Sequence, residues 1–368
     1  MKRNVRNLLL LAITMAVLGA LLYHSRGSFA KQGFSWSALE NSVRQTRISL
    51  VLLAALAIYV CYAIRAQRWI AFSRCLGRAR FRNVFPATLM GFSAIFLLGR
   101  AGEPVRPLLI ARKDRLSLTG TFGIYVLERI FDVAATLALF GLGLMLATSQ
   151  LVDTGNESNI IAARSGGLLM LVLLLALVAF LVYFRLHGAG WIERRAAAWH
   201  DARGWRRRLA QMSVGFSEGL QAIRSWRDLF EAVVYSIAHW ALVAVSYVWV
   251  CHSFGGHLAR LGFADAMLLL GITMLGGMVQ LPAIGGGAQA ASFFALTALF
   301  GIAPGPAFAA AIVLWLVTFA GVLVAGVPLF IHQGFSMHEL WELASESKRQ
   351  EEIAEGDAAK QGTEQVRS

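Results

Sequence analysis

An all-α polytopic membrane protein is what this sequence predicts, with about six full spans plus two re-entrant helical hairpins in inverted-topology repeats. Composition is the first reason. The 368 residues are 57% hydrophobic and 15% charged, with a mean hydropathy of +0.60, and a water-soluble fold of that composition has too little polar surface to cover itself. The second reason is punctuation: six apolar stretches run unbroken, and two more are interrupted by glycine and proline. The third is charge placement. Lys and Arg number 34 against 21 Asp and Glu, and the last 36 residues hold 8 acids and 4 bases, so the basic excess sits in the loops before them. The positive-inside rule requires that pattern. A nucleic-acid-binding domain would gather its charge on one soluble face instead.

In chain order, the unbroken stretches are 8–23, 48–64, 120–147, 165–184, 230–253 and 306–331. The first follows Lys2, Arg3 and Arg6 and is read as an anchor, since it lacks a small-residue cleavage site. The broken stretches are 83–110, interrupted at Gly99-Arg100-Ala101-Gly102-Glu103-Pro104, and 265–299, interrupted at Leu281-Pro282-Ala283-Ile284-Gly285-Gly286-Gly287. Glycine frees the backbone and proline removes a donor, so neither stretch is one regular helix. Cys61, Cys75 and Cys251 form no CxxC or Cys/His cluster, which points to no disulfide, no metal site and no cofactor.

Charge sets the expected topology. Arg65, Arg68, Arg74, Arg78, Arg80 and Arg82 fill 65–82, Arg112, Lys113 and Arg115 follow the first broken stretch, and 185–229 is again arginine-rich. All three segments are assigned to the cytoplasm. A single crossing by 83–110 would separate the first two, whereas a re-entrant hairpin keeps them together. The segment 149–163, with Asp153 and Glu157 and no base, then lies outside. By the same logic 265–299 enters from the outside, and both termini are cytoplasmic in a multi-pass protein of the inner (plasma) membrane.

Each half thus reads span, span, hairpin, span, and the spacing from break to span end nearly repeats, from 102 to 147 and from 285 to 331. Such broken segments in inverted halves point to a transport site near the midplane. Glycines that merely let helices pack closely are the alternative. The membrane domain is taken as 1–331, with halves at 8–147 and 165–331 and the linker 185–229 inside the second. A polar cytoplasmic tail covers 332–368.

The charges beside the breaks are the candidate substrate-binding residues: Arg100, Glu103 and Arg106 in the first, then Glu128, Arg129 and Asp132 in the following span. Glu128 and Asp132 lie four apart on one helical face, with Arg129 about 100° away. An unpaired charge at mid-helix costs about 2.5–3.5 kcal/mol, so these six must pair or be wet. Three guanidiniums and three carboxylates can neutralise one another, and arginine can exchange a carboxylate for a phosphate, which its fork grips two oxygens at a time. Two other placements stand beside this one: Glu128, Arg129 and Asp132 at the cytoplasmic interface, or a structural ion-pair cluster. In the second break, Pro282, Gly285, Gly286, Gly287 and Gln289 are expected to hold a headgroup by backbone N–H groups and helix dipoles, because no acid or base follows Asp265 before the end of the last span.

The run Gly99-Arg100-Ala101-Gly102-Glu103-Pro104-Val105-Arg106, followed by Leu127-Glu128-Arg129-Ile130-Phe131-Asp132, resembles the paired signatures of the lysylphosphatidylglycerol synthase transmembrane-region family of flippase-like membrane proteins. The second break, ahead of Gly301-Ile302, resembles that family's second signature. The likeness covers roughly 8–331. It implies a domain that moves a phospholipid or lipid-linked molecule between leaflets by alternating access. Gln289 stands where many relatives have glutamate, and Trp315 where an arginine is common.

Lesser features are the helical spacing of Leu209, Met212, Phe216, Leu220 and Ile223 beside Arg206, Arg207 and Arg208, which fits an interfacial helix on an anionic cytoplasmic leaflet or a linker packed on the spans. His239, mid-span, reads as a packing residue more than a proton relay. The expected partners are a phosphate-containing membrane lipid and that leaflet, with no nucleic acid and with a homodimer left open. An ion or small-solute transporter is the alternative function. A lipid-headgroup enzyme using Glu128 and Asp132 is the weaker one, as no nucleophile, metal-ligand spacing or nucleotide loop is present, and the expectation is that the chain is not an enzyme.

Overall fold

The computed structural model describes residues 40–41, 44–146, 164–179, 222–223, 225–278, 280–281 and 285–333. The stretch 8–23, the segment 149–163, most of the linker 185–229, the tail 334–368 and Pro282 lie outside these. The described chain is helical: α1 Ile48–Ser73, α2 Phe81–Leu98, α3 Val105–Asp114, α4 Leu118–Leu146, α5 Arg164–Ala179, α6 Trp226–Ser253, α7 Phe263–Gly276, α8 Gly287–Phe294, α9 Pro304–Thr318 and α10 Leu323–His332. Ile48–Ser73, Phe81–Gly102, Leu118–Leu146, Trp226–Ser253 and Pro304–His332 are each long and apolar enough to cross a membrane, which makes the chain an all-α polytopic membrane protein.

α1 shows how the sequence does this. Leu52, Leu53, Leu56 and Val60 face outward, as lipid requires, while Ala54, Ile58, Cys61, Tyr62, Trp69 and Phe72 face inward. Its partner is α6, laid antiparallel: Arg47 N–H donates to Ser253 O at 2.8 Å at one end, and Arg68 Nη1 to Ser236 Oγ at 2.9 Å at the other.

Both glycine-broken stretches fold back on themselves. α2 ends in a short turn, Gly99–Gly102, opened by Gly99 at φ 64°. α3 then returns along α2, with Gly91 lying under Arg106 and Gly102 under the Ala94 backbone. The open ends are tied by Asp114, which accepts from Asn83 Nδ2 at 2.6 Å and from Arg80 N at 3.3 Å. The arms are unequal, 18 and 10 residues. In the second stretch α7 and α8 run antiparallel, Thr273 and Ser292 hydroxyls meeting at 2.8 Å, and the tip is a two-residue pairing of Gln280–Leu281 with Gly285–Gly286.

Two close helix crossings tie these pairs to α4 and α10. α4 crosses α7 where a Cβ added at Gly143 would meet Leu268 N at 2.7 Å and one at Gly271 would meet Phe140 Cβ at 2.8 Å. α10 crosses α2 at Gly326, which lies against Ser93 and the Leu89 carbonyl, and Ser93 Oγ donates to Val322 O at 3.3 Å. α4 therefore packs on the first arm of the second folded-back pair, and α10 on the first arm of the first. Gly143→Ala is expected to destabilise the protein by about 1–3 kcal/mol, because the methyl meets Leu268 backbone rather than a movable side chain. A thermal-unfolding midpoint in detergent checks it, and an unshifted midpoint would mean the α4–α7 crossing is loose.

Two expectations need correction. The stretch 306–331 is two helices joined by the turn Ala320–Val322 rather than one. The basic loop expected over 65–82 starts only after Ser73, because Ala66, Trp69 and Phe72 continue the apolar face of α1 past Ile64.

Candidate functional site

That extension of α1 builds the site. Arg65 and Arg68, three apart on α1, turn toward Glu128 and Asp132, four apart on α4. Arg65 Nε donates to Glu128 Oε1 at 3.1 Å, and its Nη2 bonds Asp132. Arg68 Nη2 is shared between Glu128 Oε1 and Asp132 Oδ1, each at 3.0 Å. Arg106, set by the first turn of α3, adds Nη1 to Glu128 Oε1 at 3.2 Å and pairs Nη2 with Oε2. Arg129 Nη2 stands 3.1 Å from Asp132 Oδ2.

Burial is nearly complete at the centre, with Glu128 at 0% and Arg68 at 1%, but the Arg129 side chain keeps 38% of its surface. Glu128 lies ten residues into α4, about 15 Å along its axis, so the centre is at mid-helix rather than at a helix end. Aromatic faces support the guanidiniums: Phe92 lies 4.8 Å from Arg65 Cζ and 5.4 Å from Arg106 Cζ, and Tyr125 lies 5.6 Å from Arg106 and 5.2 Å from Arg129. Glu103 joins from the first break by accepting from Tyr125 Oη at 2.6 Å.

The composition of the cluster differs from the expected three against three. Arg65, Arg68, Arg106 and Arg129 face Glu103, Glu128 and Asp132, four cations to three anions among the described residues. Donors are also left over, since Arg68 Nε and Arg129 Nε are buried without a hydrogen-bond partner. Arg65 and Arg68 were not foreseen as site residues. The signal was present in the apolar positions 66, 69, 70 and 72, which carry the helix past them.

Arg100 is elsewhere. It is exposed and donates from Nη2 to the Met278 carbonyl at 3.0 Å, tying the tip of the first folded-back pair to that of the second. In the second break, Gly286 N–H is already taken, donating to Gln289 Oε1 at 2.6 Å to cap α8, and Gly285 is paired with Leu281. Gly287 begins α8, and Pro282 lies outside the described residues. The backbone donors expected to face a headgroup here are thus partly spent inside the turn, because glutamine at the third helical position reaches back to the N-cap. Trp315 packs on Phe96 at 5.6 Å. Among the described residues no group of three or more His, Cys, Asp or Glu could hold a metal.

An all-α membrane protein with two glycine-broken helix pairs and a buried, arginine-rich centre is the class that fold and site define. Residues 7–326 match the family model described as Lysylphosphatidylglycerol synthase TM region, and the chain belongs to that family. It is also similar to a UPF0104 membrane protein of Methanothermobacter thermautotrophicus, 23% identical over 316 residues, covering 82% of this chain and 90% of the relative. No solved structure matches it.

Proposed function

We propose that this protein is a lipid translocase that moves a phosphate-bearing membrane lipid between leaflets by alternating access. The observation that carries the reading is the unbalanced centre: four guanidiniums against three carboxylates, at mid-helix, with unclaimed N–H donors. A lone positive excess in a low-dielectric interior is costly, and a phosphodiester supplies the one missing negative charge together with oxygens shaped for a guanidinium fork. Arg129, partly exposed at the edge of the cluster, is the residue a headgroup meets first.

The reciprocal crossings of α4 on α7 and of α10 on α2 support an inverted repeat, and the folded-back pairs support two re-entrant hairpins. The arginine-rich segments support cytoplasmic termini in a plasma membrane with an anionic inner leaflet. We read the chain as a transporter and not an enzyme because Glu128 and Asp132 are each gripped by two or more guanidiniums and are poorly placed to act as an acid/base pair.

A leaflet-resolved assay in reconstituted vesicles, run with phosphatidylglycerol, phosphatidylethanolamine and lysylphosphatidylglycerol probes, tests this. The protein is expected to accelerate equilibration of at least one probe. Arg129→Lys should slow it about tenfold while the protein stays folded, since lysine keeps the charge but loses the fork. Arg100→Lys should change it far less, because a single donor to Met278 O suffices there. Wild-type vesicles that equilibrate no faster than empty ones, for every headgroup, would overturn the reading.

A further inference from the structure

The two basic runs that frame the first folded-back pair have no task in the translocase reading. Residues 75–83 and 111–120 are held together at one end of the molecule. Asp114 accepts from Asn83 Nδ2 at 2.6 Å and from Arg80 N at 3.3 Å. A Cβ added at Gly77 would meet Leu116 Cδ2 at 2.9 Å, and one added at Gly120 would meet Leu76 Cδ2 at 2.6 Å. The two segments carry Arg78, Arg80, Arg82, Arg112, Lys113 and Arg115 against a single acid, Asp114.

All five arginines are exposed. Both carboxylate oxygens of Asp114 are spent on neutral N–H groups, and among the described residues none of the five guanidiniums pairs with a carboxylate. Arg74 shows the contrast, standing 2.7 Å from Glu231 Oε2 and tying the end of α1 to the start of α6.

α2 and α4 both begin in this surface, so its guanidiniums stand where two apolar helices meet the edge of the bilayer. The first residues of those helices are apolar and open, Phe81 at 37% exposure and Leu118 at 45%. Trp226 and Phe230, at the α6 end that Arg74 holds, are also exposed, an aromatic edge of the kind found at headgroup level. The arginine centre is a separate place about 15 Å deeper, since Glu128 comes ten residues after Leu118.

Exposed cations gathered on one surface repel one another, and a phosphodiester relieves that repulsion while a guanidinium fork grips two of its oxygens. Five forks exceed what one phosphate can take. We propose that this surface docks an anionic phospholipid carrying two phosphates, its headgroup across the paired arginine runs and its acyl chains beside Phe81 and Leu118, as a resident lipid distinct from the transported one. A soluble polyanion would use the arginines and gain nothing from the two apolar side chains at the bilayer edge. This docking does not depend on lipid transport at the centre.

The test titrates the full chain in detergent micelles with cardiolipin, phosphatidylglycerol or phosphatidylcholine and counts bound lipid by native mass spectrometry. Cardiolipin is expected to bind about tenfold more tightly than phosphatidylglycerol, and phosphatidylcholine more weakly than either. Each arginine near an anionic headgroup is worth about fivefold in affinity, so Arg78→Gln, Arg82→Gln and Arg112→Gln combined should weaken cardiolipin at least tenfold. Raising the salt from about 0.1 to about 0.5 M should do the same to the wild-type protein, a readout that does not depend on the variant folding. Arg129→Lys, at the centre, should leave cardiolipin binding within about twofold. Equal affinity for the three lipids or for the two anionic ones, affinity flat with salt, or unchanged binding in the folded triple variant overturns the docking surface. Loss of cardiolipin in Arg129→Lys also overturns it, by assigning the lipid to the centre. Displacement of cardiolipin by inorganic pyrophosphate at equal phosphate concentration overturns a lipid as the occupant. Vesicles in which no lipid equilibrates, with cardiolipin binding intact, overturn the translocase reading and leave this surface standing.

Discussion

Glu128→Ala is expected to cost about 3–5 kcal/mol and to remove most of the folded protein, which is the usual consequence of deleting one partner of a buried ion pair. Glu128 takes contacts from Arg65, Arg68 and Arg106, contributed by α1 and α3, and has no exposed surface. Without it Arg106 loses its carboxylate partner, and Arg65 and Arg68 keep only Asp132, which already serves Arg129. Three helices then meet around uncompensated cations. Adding Arg106→Leu should return part of the loss, because it removes one of the orphaned charges, and the non-additivity of the pair measures their coupling. Thermal unfolding followed by tryptophan fluorescence provides the readout. A midpoint for Glu128→Ala equal to that of the wild type would mean water already solvates these guanidiniums, and the buried-cluster account would go.

Gly102→Ala is the second large effect expected, about 3 kcal/mol, at the upper end of what overpacking costs. A Cβ at this position runs into the Ala94 carbonyl and comes within 2.5 Å of Ile95 N, all main chain of α2 that cannot rotate away. The turn between α2 and α3 would have to open, and α3 carries Arg106 into the centre. Stability and transport should therefore fall together. Ala101→Gly, an exposed position in the same turn, is the control and should leave transport near wild type. Full transport with a wild-type midpoint in Gly102→Ala would show that the close approach of the two arms is not needed for closure.

The centre was half legible in the sequence. Glu128 and Asp132 share a helical face by spacing alone, and Arg106 had to find a carboxylate because an unpaired charge at that depth is too costly. Arg65 and Arg68 were hidden by a convention: arginines after an apolar run read as a cytoplasmic loop. Here the helix goes on, and burial in protein rather than lipid makes their charge tolerable. Their partners lie 63 and 60 residues further along the chain, beyond the range over which periodicity carries information.

By itself the sequence determined the membrane class, the helical spans that α1, α4 and α6 became, and the two places where helix must break, because bilayer thickness and backbone hydrogen bonding leave few other solutions for such a composition. Only the tertiary structure decided which cations meet which anions. It sent Arg100, matched to the centre by motif, to a backbone carbonyl on the other folded-back pair, and it left Gln289 to cap its own helix. It also converted an expected balance of three against three into four against three. Those outcomes depend on how the helices cross, and small residues set such approaches, Gly91 that of α2 to α3 and Gly143 and Gly271 that of α4 to α7. Spacing along a helix fixes which side chains share a face, and packing between helices fixes what that face meets.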